Sequence, residues 1–216
     1  SNYQNKILEK IKQECGKNIE SKWDTTAITP GTTFMKNLCK KIKAYFKSSK
    51  AFNVSNIIVS AGDKPGEGEH KIYQYIRENP KKHKDSVTVI YGLDADLIML
   101  TLNHLRFCKN MYLYRETPEF IKSIDRTLNP NTSYLMDIRE LSKEIINELS
   151  GEEEYKENSE EIDVNRLYDY IFICFFLGND FLPHFPALSL RTNGMNYLIA
   201  AYKHIIGNNE SKEYLT

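Results

Sequence analysis

The chain has 216 residues, enough for one substantial core, and its 41% hydrophobic and 27% charged content is that of an ordinary soluble globular protein. Four scattered cysteines (Cys15, Cys39, Cys108, Cys174) with no CxxC pair exclude a zinc knuckle or disulfide framework, and the longest apolar run, Tyr170–Leu177, is too short to span a bilayer. Formal net charge is zero, but Ser150–Ile162 holds six Glu against one Lys, so the remainder carries +5 and neutrality neither favours nor excludes a nucleic-acid partner.

The polar N-terminus is no signal peptide. Ile7, Leu8 and Ile11 recur at helical spacing and predict an amphipathic helix. A helix that opens without a lead-in reads as a cut inside a larger protein. After the loop Trp23–Gly31, a second helix is expected over Phe34–Ser48, with Phe34, Leu38, Ile42 and Tyr45 inward. Lys36, Lys40, Lys43, Lys47 and Lys50 form a stripe on another face of it. That stripe reads first as a solvated helix face, although its spacing also suits a phosphate backbone.

An alternation follows. The β-branched run Asn56–Ser60 predicts a strand, a Gly-rich turn comes next, and Gly68–Glu78 reads as a helix. Val87–Tyr91 is expected to be a second strand, Ala95–Leu105 a helix, Met111–Tyr114 a third strand and Ser133–Met136 a fourth. Strand–helix alternation implies an α/β fold with a mainly parallel sheet flanked by helices. The acidic stretch 150–162 reads as a flexible surface loop. Helices are expected over Val164–Leu177, ended by Gly178, and over Gly194–Ile206.

In such sheets ligands bind beyond the carboxyl ends of the strands. Two acidic pairs fall there: Glu67 and Glu69 after the first strand, Asp94 and Asp96 after the second. Residues two apart point to opposite sides of a regular helix. Each pair therefore reaches one site only from a turn entering a helix, which Gly66, Gly68 and Gly92 permit. A like-charged pair at ~4 Å costs on the order of 4 kcal/mol at an effective dielectric of 20. Cations are the natural remedy, and oxygen ligands at an open site suit Mg²⁺ or Mn²⁺. Two such ions ~4 Å apart are a standard device for phosphodiester cleavage. Asp180, after a buried helix, is a fifth candidate. Taken singly, Glu67, Glu69, Asp94 and Asp96 are better explained as helix caps and Asp180 equally well as a polar loop residue, but caps do not require two acidic pairs on one sheet edge. His70 and His184 are read as hydrogen-bonded residues rather than ligands. Ser, His and Asp show no triad arrangement, and Gly62–Gly68 lacks the ending of a Walker loop.

Four segments resemble the eukaryotic 5′→3′ exoribonuclease family, and they come in the family's order: Ile28–Met35 (ITPGTTFM), Pro65–Ile72 (PGEGEHKI), Tyr91–Leu100 (YGLDADLIML) and Phe176–Pro183 (FLGNDFLP). The resemblance runs from Trp23 to Lys203. It implies a nuclease fold similar to PIN and flap-endonuclease domains, with Glu67, Glu69, Asp94, Asp96 and Asp180 as catalytic metal ligands. It implies two Mg²⁺ or Mn²⁺ ions in the complete domain, and processive hydrolysis of RNA bearing a 5′ monophosphate in cytoplasm or nucleus. No membrane partner is expected. The family's catalytic domain opens with two further aspartates and a basic patch for the 5′ phosphate, and ends with a base-stacking aromatic. None of these is matched here, so the chain is expected to be a central segment, inactive as a processive exonuclease on its own. The alternatives are a flap-endonuclease-like DNA nuclease and a catalytically incompetent RNA- or partner-binding homologue.

Overall fold

A computed structural model describes residues 25–115, 126–129, 132–150, 163–207 and 213–216. The helix expected near the N-terminus lies outside them, as does nearly all of the acidic stretch. The chain divides into two compact units, Ser1–Lys71 and Ile72–Thr216.

In the first unit, helix α1 spans Thr33–Tyr45. The Thr32 hydroxyl accepts from Met35 N at 3.3 Å and donates to Ala27 O and Thr29 O at 2.6 and 2.9 Å. The ITPGTTFM segment is thus a wound turn that caps α1 and satisfies one of its orphan amides. No described residue of this unit is buried. The run Asn56–Ser60, expected to be a strand, forms none. A strand needs a neighbour for its backbone groups, and the described residues of this unit supply no second one. Helix α2, Gly68–Glu78, starts in the first unit and continues into the second.

The second unit is α/β. A short helix α3 (Pro80–His83) leads to β1 (Val87–Tyr91), α4 (Asp96–His104), β2 (Asn110–Tyr114), β3 (Leu135–Asp137), α5 (Ile138–Ser150), α6 (Val164–Phe175) and α7 (Gly194–Ile205). β1 pairs with β2 in parallel, Val87 opposite Asn110 and Tyr91 opposite Tyr114. β3 runs antiparallel on the other side of β2, so the described sheet is small and mixed in direction. The expected elements of this unit appear within a few residues of their predicted bounds. Helix α5 was not anticipated. Its Ile138, Leu141, Ile145, Ile146 and Leu149 make an apolar stripe, and the Asp137 carboxylate caps it by accepting from Arg139 N and Glu140 N at 2.9 and 3.1 Å.

The core forms around β2. Met111 and Leu113 are sealed among Tyr73 and Ile76 of α2, Leu97 and Leu102 of α4, Ile138 and Ile146 of α5 and Leu167 of α6. Each such side chain contributes roughly 1.5–3 kcal/mol by leaving water. A smaller cluster joins Leu149, Ile173 and Tyr202.

Two polar devices sit in this interior. The Asp169 carboxylate on α6, fully buried, accepts from the Tyr202 hydroxyl at 2.5 Å. It also accepts from Leu215 N, Thr216 N and the Thr216 hydroxyl, each at 3.0 Å. Arg166, itself buried, donates to the Tyr202 hydroxyl at 2.7 Å. Burial first, and the Asp169 bond second, push the Tyr202 hydroxyl well above its ordinary pKa. The second device is His104, 2% exposed. Arg77 Nη1 lies 2.6 Å from its Nε2, and a guanidinium only donates, so Nε2 accepts. Nδ1 then carries the proton and donates to Leu100 O at 2.6 Å. Burial, with the charges of Arg77 and Arg106 behind it, holds the His104 pKa below 6.5.

Two outcomes are expected. Asp169→Ala removes the acceptor shared by four donors, and should cost about 3 kcal/mol or more in urea unfolding. His104 is neutral in the fold and charges more readily when unfolded, so its contribution is complete above about pH 6.5 and lost as the pH falls below that value. Urea midpoints across pH 8 to 5 should therefore drop on the acid side, and His104→Leu, though less stable, should flatten that part of the slope.

Candidate metal centre

Glu67 precedes α2, and its carbonyl accepts from Lys71 N at 3.2 Å. Glu69 lies in the first turn of α2. The segment is therefore a turn entering a helix, and the two carboxylates meet although they are two residues apart. His70 joins them. Ligand atoms of Glu67, Glu69 and His70 lie within 4.8 Å of one another, and His70 Nε2 stands 3.9 Å from Glu67 Oε2. Gly66 adopts φ +89°, the left-handed turn that brings the chain round to Glu67. Lys71 folds back over this turn, donating to Lys64 O at 2.8 Å, which ties the loop to the helix.

Ligands around an ion with bonds of about 2.1 Å are separated by about 3 to 4.2 Å. The group is slightly wider than that, and small rotations of these largely exposed side chains would close it. Two carboxylates suit Mg²⁺ or Mn²⁺, and an imidazole in the shell moves the preference away from Mg²⁺. His70 was the residue set aside in reading the sequence. Its position three after Glu67 puts it on the same side of the incoming turn, beside the two carboxylates.

In the second unit, Asp94 sits in the turn between the carboxyl end of β1 and α4, and Asp96 opens α4. Asp94 Oδ1 accepts from Asp96 N at 3.2 Å, so Asp94 does cap this turn, and both acids are exposed. Asp180 is exposed in the loop after α6. Asn179 shapes that loop, its Oδ1 accepting from Phe181 N and Leu182 N at 2.9 and 2.8 Å. Gly178 starts it at φ +84°, and a Cβ there would meet His184 N at 2.8 Å, so only glycine fits. His184 is exposed. Asp94, Asp96 and Asp180 do not form a second group of the tightness seen at Glu67, Glu69 and His70.

Residues 1–117 match the family described as the XRN 5′-3′ exonuclease N-terminus. The chain belongs to this family. Residues 161–216 match a second description, the Xrn1 helical domain. Glu67, Glu69, Asp94 and Asp96 thus lie in the exonuclease match and Asp180 in the helical one. Among relatives, 5′-3′ exoribonuclease 2 of Aspergillus fumigatus is 33% identical over 92% of this chain and 22% of its own length. The 5′-3′ exoribonuclease 1 of Schizosaccharomyces pombe is 36% identical over 87% of this chain and 15% of its own. A 5′-3′ exoribonuclease 2 homologue of Caenorhabditis elegans is 32% identical over 93% and 24%. The chain spans about a fifth of the length of these relatives.

Mn²⁺ titrated into the chain by calorimetry should bind at this turn. Glu67→Gln and Glu69→Gln should each weaken it by about tenfold or more, and His70→Ala by less. Equal affinity in all four proteins would show the turn holds no ion.

Proposed function

We propose that this XRN-family chain is a carboxylate-bearing part of the catalytic domain of a metal-dependent 5′→3′ exoribonuclease. The observation that carries it is the meeting of Glu67 and Glu69 at the entrance to α2, inside the stretch that matches the exonuclease N-terminus. The names of the relatives point to RNA as the polymer. On this reading the domain is of the PIN and flap-endonuclease kind, with a sheet that is mainly parallel when complete. Among the described residues Cys39, Cys108 and Cys174 are free thiols, which fits a reducing compartment such as cytoplasm or nucleus.

Glu67 and Glu69 would hold one Mg²⁺ or Mn²⁺, and Asp94, Asp96 and Asp180 are proposed to complete the ligand set for two. When bound, such ions supply charge stabilisation at the phosphate and lower the pKa of water. The protein's share is positional. The α2 entry turn presents its two carboxylates from a loop tied by Lys71, so they need little reordering when charge arrives. Asp94 braces its own turn through the Asp96 amide, which fixes how both carboxylates leave the helix start. The Asn179 turn does the same for Asp180.

The test uses end-labelled RNA with either a 5′ monophosphate or a 5′ hydroxyl, in Mg²⁺, Mn²⁺ or chelator. The assay is run on this chain and on a longer protein that includes it. Mononucleotide release should require the metal, prefer the monophosphate and proceed from the 5′ end in the longer protein. The chain alone should give at most weak, distributive cleavage. Asp94→Asn or Asp96→Asn in the longer protein should lower the rate about a thousandfold or more, since a lost ligand removes several kcal/mol of transition-state stabilisation. Metal-independent cleavage, or internal cleavage of DNA flaps in preference to RNA, would overturn the reading.

A further inference from the structure

A cleft of 640 Å³ opens within the first unit, between the Pro30–Gly31 turn, one face of α1 and the Gly62–Gly66 loop. Met35, Cys39 and Pro65 give it apolar walls, and Lys36, Lys40, Lys43 and Lys64 line it with charge. The three lysines on α1 fall four and three residues apart, hence on one face, about 6 and 4.5 Å apart along the axis. Asp63 neutralises Lys43 across a 2.5 Å ion pair, and that ammonium holds the Asp63 carboxyl below its usual range. Lys64 adds its charge to the field on Asp63, while among the described residues Lys36 and Lys40 form no ion pair, so four lysines face one aspartate and the cleft carries a net +3. It ends at Gly66, the residue before Glu67.

We propose that this cleft binds single-stranded RNA, its phosphates against Lys36, Lys40 and Lys64 and a ribose or base against the Met35–Cys39 wall. The proposal rests on the nuclease reading and adds a binding subsite to it. Charge complementarity favours a polyanion over an apolar ligand. A row of like charges at one-turn spacing suits a repeating phosphate better than a single anion. The apolar wall offers contact area to a sugar or base, which a chain of phosphates alone would leave unused. Lys47 and Lys50, which the sequence places in the same stripe, lie beyond the end of α1, whereas Lys36, Lys40 and Lys43 share one helix face and line one cavity with the Pro30–Gly31 turn.

Cys39 supplies a local reporter. It is a free, half-exposed thiol in the wall, whereas Cys108 is fully buried and burial pushes the Cys174 thiol up to about 11. The 216-residue chain is incubated in chelator with an oligouridylate, and maleimide labelling of Cys39 is followed by peptide mass spectrometry. Oligouridylate should slow the labelling several-fold. In fluorescence anisotropy, Lys36→Gln/Lys40→Gln should reduce the salt dependence of binding by about 0.7 per lost contact in the slope of log K against log salt. Lys81→Gln/Lys84→Gln, equal in charge and placed in the second unit, should leave the slope unchanged. Melting curves confirm that both variants fold. Unchanged Cys39 labelling, an equal effect of both variants, or protection by a polyglutamate peptide but not by RNA would each overturn the proposal. The labelling needs no metal, so a longer protein that never releases mononucleotides from RNA fails the nuclease reading alone. Hydrolysis with Cys39 unprotected fails this one alone.

Discussion

Two parallel strands cannot be joined by a tight turn, and the second unit is organised by that constraint. Because β1 and β2 run the same way, the chain must leave the carboxyl end of β1, cross over as α4, and return to the start of β2. The crossover places Leu97 and Leu102 over the sheet and leaves the turn before α4 at the strand end. Asp94 in that turn and Asp96 at the start of α4 are both left exposed to water. The same demand buries Met111 and Leu113 on β2, the strand with a neighbour on each side.

Most of the second unit was legible from apolar periodicity, since β1, α4, β2, α6 and α7 each carry a clean signal. Helix α5 was legible too: Ile138, Leu141, Ile145, Ile146 and Leu149 recur at helical spacing against a charged face, and the period was passed over beside the acidic stretch. Asn56–Ser60 failed for a different reason. Its composition says strand, but strand formation depends on a partner that composition does not contain. At the candidate metal centre, the spacing of Glu67 and Glu69 was enough to demand a turn, and the turn is there. The helical neighbour His70 was dismissed because a lone histidine carries no pattern of its own. The reach of Asp94 into the Asp96 amide shows that cap and candidate ligand need not be rival roles for one carboxylate.

The chain treats its carboxylates in two ways. Asp169 is buried, saturated with donors and committed to structure, tying α6 to α7 and to Leu215 and Thr216. Glu67, Asp94, Asp96 and Asp180 are exposed. An acid kept in water retains its charge at neutral pH and can exchange hydration for a cation at small cost, whereas a buried one must be matched in advance.

Gly178 fixes the loop that carries Asp180 by the absence of an atom. Every single-nucleotide change in a glycine codon that replaces glycine by another amino acid introduces a Cβ. At this position a Cβ meets both a forbidden backbone angle and the His184 amide. No one-step genetic path can therefore vary residue 178 while keeping the loop's shape.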